Sequence, residues 1–351
     1  MTSIRVAASD LQSFCINALT SCRVRSDVAA DVAAGLIQAS LRGVDSHGVR
    51  LFPHYLRALK AGRINPDPTY RFEHTAPAVG RLDGDHTFGH AAGAEGMRRA
   101  MELARQAGLG TVAVYNSSHF GAAAYFALMA AERDMIGFSF THGDSLILTA
   151  GGRRPFFGAN TICFAAPCEG EEPFCVDMAT SLVTWNKILQ FQDQSKFIPF
   201  GWGVDEQGND TQDAQRVAAL HPAGGYKGYA LSMMVEVLCS LLTGMPFGRH
   251  IIRMYADPLE KKRQLGHFFM AFRIDSFISL EEFKLRMRQM KDEVRAEPPK
   301  DPLVPIQVPG DPEQRVAQQR TKDGIPLSQA EFEALSRIST ECKLAWAGSF
   351  T

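Results

Sequence analysis

Gly108-Leu109-Gly110-Thr111-Val112-Ala113 has the spacing of a dinucleotide-binding glycine turn, but its neighbours stand in the wrong order. Such a turn needs a strand before it and a helix after it, so that the helix N-terminus meets a pyrophosphate. Here residues 88–107 have the pattern of a helix, and the β-branched run 111–115 predicts a strand. The two glycines therefore predict a helix C-cap. They exclude a doubly wound dinucleotide fold built on this turn. No Walker A motif is present.

The remaining elements alternate. Residues 6–22 and 26–41 carry apolar residues at helical spacing, and 47–60 predicts a third helix ended by Gly62. Asn65-Pro66-Asp67-Pro68 then stops helix formation, because each proline disfavours helix at and before its own position. Strands are predicted at 70–74, 78–83, 135–141, 161–166, 173–177 and 267–274, and helices at 122–133 and 180–192. Residues 226–242 are almost all apolar. They are too short and too well bounded by glycines for a membrane span, so they predict a buried helix. Ser279-Leu280-Glu281-Glu282 and Ser328-Gln329-Ala330-Glu331 have capping-box spacing. They open helices to about residues 297 and 342, with an extended piece, 305–310, between them. The alternation predicts an α/β (mixed α+β) fold.

Composition narrows the function classes. The 351 residues are 45% hydrophobic and 21% charged, as in a globular protein. The formal net charge is -1 with no basic block, which argues against nucleic acid as a partner. No apolar run reaches the ~18 residues of a membrane span, and residues 1–11 lack the apolar centre of a signal peptide. Seven cysteines show no metal-ligand spacing. Cys15, Cys22, Cys163, Cys175 and Cys239 read as small core residues in a reducing compartment, so no metal site and a cytoplasmic location are expected.

Four stretches could carry chemistry. In Asp45-Ser46-His47-Gly48-Val49-Arg50 an imidazole able to exchange a proton near neutrality stands near a guanidinium whose fork suits a carboxylate. On one helical face they would be a proton donor beside a carboxylate clamp, as reduction of a 2-oxo acid requires. The plainer reading of Ser46 and His47 is a cap and a satisfied polar residue. Asn116-Ser117-Ser118-His119-Phe120-Gly121 follows a strand and precedes a helix, a common place for a site, or for ordinary turn chemistry. Asp177 ends a strand, where it could orient an imidazole or cap the next helix. Lys227, among glycines at a helix start, suits an anion, or is a solvated lysine on a flexible loop.

Nine segments in order resemble the type-2 malate/L-lactate dehydrogenase family, from about residue 7 to about residue 326. They are DSHGVRLFPHYLRAL at Asp45, GRIN at Gly62, SSHFGAAAYFALMA at Ser117, GGRRPFFGANTICFAAP at Gly151 and VDMATS at Val176. GWGVDEQGNDTQD at Gly201, GGYKGYALSMMVEVL at Gly224, GHFFMAF at Gly266 and VPGD at Val308 complete the set.

The resemblance implies a family-specific, non-Rossmann nicotinamide-binding fold. An N-terminal helical segment, 1–64, packs with the C-terminal tail, 301–351, and 65–300 binds cofactor and substrate. It implies hydride transfer between NAD or NADP and C2 of a small 2-oxo or 2-hydroxy acid, or of a cyclic imino acid, by a homodimer. A non-catalytic metabolite-binding relative is the remaining alternative. The implied catalytic residues are His47, His119 and Asp177, with Ser46, Arg50, Thr141 and Asn160 on the substrate. His119, Gly143, Asp177, Met178, Ala179, Lys227, Pro309, Gly310 and Asp311 match cofactor contacts. The chain departs from the family pattern at His142, where many members have asparagine. It departs again at Thr161, in place of a proline, and at Thr184-Trp185-Asn186-Lys187.

Overall fold

The computed structural model describes residues 4–344; the outer ends of the two terminal segments, 1–3 and 345–351, lie outside the described residues. Strand β1 (Ile4–Val6) leads into helices α1 (Ala8–Ser21), α2 (Ser26–Leu41) and α3 (Phe52–Lys60). Then come β2 (Arg71–Ala76), β3 (Val79–Asp83), α4 (Gly89–Ala107), β4 (Leu109–Ser117), α5 (Ala124–Ala131) and β5 (Met135–Thr141). Short strands β6 (Ile147–Leu148) and β7 (Pro155–Phe157) precede β8 (Thr161–Cys168) and β9 (Glu171–Met178). After α6 (Trp185–Asp193), β10 (Gly203–Val204) and β11 (Ala219–Leu220), helix α7 (Tyr226–Glu236) runs on as a π-helical turn, Val237–Leu241. The described chain closes with β12 (Leu265–Arg273), α8 (Leu280–Ala296), α9 (Asp311–Asp323), β13 (Ile325–Leu327) and α10 (Gln329–Cys342).

The main sheet has seven strands in the order β2-β3-β4-β12-β5-β8-β9. Within it β3 and β4 pair in parallel and every other pair is antiparallel. This is a mixed α/β fold, not a doubly wound one. Side chains alternate across a strand, and β12 shows the result. Phe269 and Ala271 pack into the core under α4 and α5, while Phe268 and Met270 pack with Val235 and Cys239 on the opposite face. The glycine pair behaves as its order requires. Gly108 ends α4 in the left-handed conformation (φ 83°). A Cβ on Gly110 would stand 2.0 Å from the Ala100 carbonyl, so its absence lets α4 lie against β4.

Chain start and chain end share a core. β1 pairs antiparallel with β13, Ile4 opposite Leu327. Leu11, Leu19, Leu36, Phe52, Ile325 and Leu335 are buried together there. Neither β1 nor α9 follows from the sequence pattern. α9 buries no residue fully and so lacks the apolar period that marks a helix.

Three expectations need correction. Residues 47–60 do not form one helix, for a reason taken up below. Helix 180–192 begins only at Trp185, where the Thr184 hydroxyl accepts the Lys187 N–H at 3.3 Å. Residues 226–242 are not buried all round: Met233, Val237 and Leu241 are 48%, 44% and 58% exposed. Among the described residues no helix is long and apolar enough to cross a membrane.

Candidate active site

Gly48 decides the shape of the Asp45–Arg50 stretch. A Cβ there would stand 2.1 Å from Ser40 Oγ, so only glycine lets the chain lie this close to α2. Ser40 Oγ also accepts the Val49 N–H at 3.0 Å. The extended backbone at Gly48 (φ -89°, ψ -153°) splits the expected helix into two 3-10 turns, Asp45–His47 and Val49–Leu51, ahead of α3. His47 then lines the cavities described below, whereas Arg50 is exposed and lines neither. Arg320 of α9 holds the Asp45 carboxylate, with one bond of 2.9 Å. Ser46 Oγ lies 2.9 Å from His47 Nδ1, which leaves Nε2 for a ligand.

β4 ends at Ser117 and delivers His119 beside α3. Tyr55 Oη lies 2.7 Å from His119 Nδ1, again leaving Nε2 free to face a ligand. The His47 and His119 rings stack with centroids 5.7 Å apart and planes 14° from parallel. Close by, His90 is fully buried, and among the described residues neither ring nitrogen has a hydrogen-bond partner. Its Nε2 would be 2.3 Å from a Cβ on Gly121. Desolvation disfavours the imidazolium in all three rings. It lowers His47 to about 4 and His90 to about 3. His119 falls well below its ordinary 6.5, through desolvation first and then the nearby charges of His47 and Arg263. A fourth histidine, His267, is buried between Thr141 Oγ1 (2.9 Å) and Ser117 Oγ (2.8 Å).

Two cavities meet at His47. The larger, about 470 Å³, runs along the start of α5, the end of β9 and the segment 307–310, with Arg42 and Glu313 in its wall. The smaller, about 200 Å³, holds His119, Thr141, Gly143, Asn160, Trp185, Tyr255 and Arg263. His47, Gly121, Thr161, Ala179 and Thr184 line both. Asp177 Oδ2 accepts the Ala124 N–H at 2.8 Å, so the carboxylate caps α5 at the larger cavity. Desolvation raises its carboxyl to about 6.

The fold thus gathers most of the expected residues and leaves some outside. Ser46, Asp177, Ala179, Pro309 and Gly310 line the larger cavity; Thr141, Gly143 and Asn160 line the smaller. Met178, 40% exposed, lines neither. Lys227 is exposed at the start of α7 and also lines neither. The Asp311 carboxylate is bound to Arg295 Nη2 at 2.6 Å and the Val308 N–H at 3.1 Å, so it shapes the 307–310 turn rather than lining the cavity. Arg42, Tyr55, Glu236 and Arg263 were not anticipated. Arg263 sits in a charged run, Glu260-Lys261-Lys262-Arg263, that reads as solvated surface. It is 2% exposed because Asp144 pairs with it across the fold. Glu236, a single carboxylate in an apolar run, did offer a signal.

A family model for malate/L-lactate dehydrogenase matches residues 6–336. The chain belongs to the malate/L-lactate dehydrogenase family. This dehydrogenase is 37% identical to the malate dehydrogenase of Pyrococcus abyssi over 96% of its own length and 94% of the relative's. It is 34% identical to the ureidoglycolate dehydrogenase (NAD(+)) of Escherichia coli O157:H7, over 95% of each chain. The crystal structure of malate dehydrogenase from Entamoeba histolytica matches it with a TM-score of 0.93 at 29% identity, over 98% of this chain and 99% of that one. Relatives of this dehydrogenase carry NAD(+) or NADP(+) in their names, and its cofactor is one of the two. The residues present fit such a group. The larger cavity offers the Arg42 guanidinium and bare backbone at Gly310 (φ 100°). The smaller has Asn160, whose Oδ1 is buried without a partner among the described residues.

Proposed function

We propose that this dehydrogenase interconverts a small 2-hydroxy acid and its 2-oxo acid in the smaller cavity, with NAD or NADP lying along the larger one. The observation that carries the reading is the pair of stacked imidazoles, His47 and His119, with His47 lining both cavities. When bound, the nicotinamide supplies or takes the hydride. His47 takes the hydroxyl proton at Nε2 during oxidation and returns it during reduction. Its surroundings keep the ring in the neutral form that a base requires, and the negative charge of a bound substrate carboxylate favours the imidazolium it then becomes. His119, oriented by Tyr55, fixes the substrate oxygen. Asp177 holds the start of α5 in place. Arg50 lines neither cavity and is the carboxylate partner in this reading on the strength of its field at the wall of the smaller one. Its charge acts on Tyr255 in the cavity wall, and it makes no ion pair among the described residues. Arg263 is already neutralised by Asp144.

The reading includes a homodimer. Tyr226, Met233, Met234, Val237 and Leu241 form an exposed apolar stripe along α7 and the π turn, of a kind monomers rarely leave uncovered. It divides the chain near residues 64 and 300, as the shared core of the two ends suggests. It places the protein in the cytoplasm, in keeping with seven free thiols.

The test is cofactor absorbance with malate, lactate, sulfolactate and ureidoglycolate, each with NAD and with NADP. The corresponding 2-oxo acids are run in reverse, with and without an amine. Turnover of at least one hydroxy acid is expected. Turnover of the 2-oxo acids only when the amine is present, or none at all, would overturn the reading.

A further inference from the structure

Glu236, the last residue of α7, is 2% exposed within the apolar run 226–242. A carboxylate so placed is costly unless it is bonded, and both of its oxygens are. Oε2 accepts from Asn160 Nδ2 at 2.7 Å, and Oε1 accepts the Gly248 N–H at 2.7 Å. His142 Nδ1 lies 3.5 Å from Oε1. His142 Nε2 accepts the Gly266 N–H at 2.9 Å, so the neutral ring carries its proton on the side of Glu236. The other amide hydrogen of Asn160 goes to the Ser232 carbonyl at 2.9 Å. With both hydrogens engaged, the Asn160 amide cannot turn over without losing bonds. Its Oδ1 is buried and without a partner among the described residues. That oxygen lies on the side of Gly158 and Gly143: a Cβ on Gly158 would meet it at 2.5 Å and the Gly143 carbonyl at 2.8 Å. Gly143 and Asn160 both line the smaller cavity. Glu236 itself stands where α7 gives way to its π turn, a distortion that recurs at functional sites.

We propose that Glu236 is a positioning residue that sets the polarity of the Asn160 subsite. By accepting an Asn160 N–H it holds the amide oxygen toward the cavity, so the subsite accepts a hydrogen bond and selects a ligand N–H or O–H. The proposal rests on the reading of the smaller cavity as the reaction site. The ligand group with the required chemistry is the carboxamide of the nicotinamide, because the single hydrogen of the C2 hydroxyl goes to His47.

Glu236→Gln keeps the shape and removes one acceptor. Glutamine can serve the Gly248 N–H with its oxygen, but it then presents N–H to Asn160. Asn160 must turn over or lose the bond. With the best hydroxy acid from the panel, kcat/KM should fall about 10–100-fold, as for the loss of one charged hydrogen bond. Circular dichroism should match the parent. Glu236→Asp, which keeps both acceptors, should recover part of the loss. Asn160→Ala should be no better than the Glu236→Gln/Asn160→Ala double variant. Repeating the series with the 3-acetylpyridine analogue of the cofactor, which lacks the carboxamide N–H, identifies the donor. A smaller loss with the analogue than with the parent cofactor is expected, and an equal loss with both would overturn the carboxamide as the donor. The proposal is overturned if Glu236→Gln keeps kcat/KM within about twofold, if the two losses add in the double variant, or if Glu236→Gln fails to fold, which would make Glu236 a stability residue. A parent enzyme without hydroxy-acid turnover would instead refute the function proposed above.

Discussion

A methyl group on residue 48 has nowhere to go. It would stand 2.1 Å from Ser40 Oγ and 3.2 Å from Ser40 Cα, whereas atoms in comfortable contact sit about 3.5–4 Å apart. Ser40 is 1% exposed, so its hydroxyl can clear the methyl only by rotating. Rotation strands the Val49 N–H that the hydroxyl now accepts at 3.0 Å. Overpacking costs about 1–3 kcal/mol, and a stranded buried N–H about 1–3 kcal/mol. The two overlap, so Gly48→Ala should lose about 2–4 kcal/mol of unfolding free energy in a urea titration. His47 adjoins this residue, and a shift of about 1 Å in a reacting group costs about 10²-fold in rate. Turnover should therefore fall by about that factor, with a smaller change in cofactor affinity. Ser40→Ala/Gly48→Ala removes the 2.1 Å contact but leaves the methyl 3.2 Å from Cα and Cβ of residue 40 and the Val49 N–H stranded, so it should regain only part of the stability. Gly48→Ala within about 0.5 kcal/mol of the parent, with normal turnover, would refute the claim that Gly48 shapes the site.

Arg42→Ala should raise the dissociation constant for reduced cofactor about tenfold or more, as for a lost charged contact, in a fluorescence titration. Lys227→Ala, run beside it, should have the smaller effect, and the reverse order would exchange their roles. Acid should destabilise the fold. The fully buried His90 and His267 stay neutral down to about 3 when folded, against 6.5 otherwise. Above their ordinary value neither state is protonated and stability is full. Below it the unfolded chain takes up protons first, removing about 1.4 kcal/mol per pH unit for each ring. His47 and His119 act in the same sense, and Asp177, whose carboxyl is raised, acts in the opposite one. Urea midpoints that rise between about pH 7 and about pH 5 would contradict this balance. Leu241→Glu places a charge in the exposed apolar stripe and should convert a dimer into monomers in sedimentation; a parent that is already monomeric would remove the homodimer from the account.

Periodicity made the inner strands legible. β12 alternates between two buried faces, and β5 lies where its apolar run predicts, at Met135–Thr141. The same period could not show α9, whose residues stay at the surface. His47 and His119 were readable because an imidazole beside hydroxyls and glycines, between regular elements, is unusual enough to notice. Where Arg50 ends up was not readable. That depends on the backbone at Gly48, which depends in turn on Ser40 one helix earlier. Arg263 was hidden for a similar reason: its partner, Asp144, lies far away in the chain. The outer face of α7 misled because an apolar run gives the same signal whether a core or a second molecule covers it.

The central claim, proton transfer by His47 where the two cavities meet, is tested most directly by pH–rate profiles of the parent, His47→Ala and His119→Ala in the direction of reduction. The donor must be protonated, so the parent's rate should fall as the pH rises through its value in the complex. His47→Ala should lose turnover by about 10²–10⁴-fold and lose that pH dependence, with cofactor affinity nearly unchanged. His119→Ala should be slower but keep the dependence. A pH dependence that survives in His47→Ala and vanishes in His119→Ala would contradict the assignment.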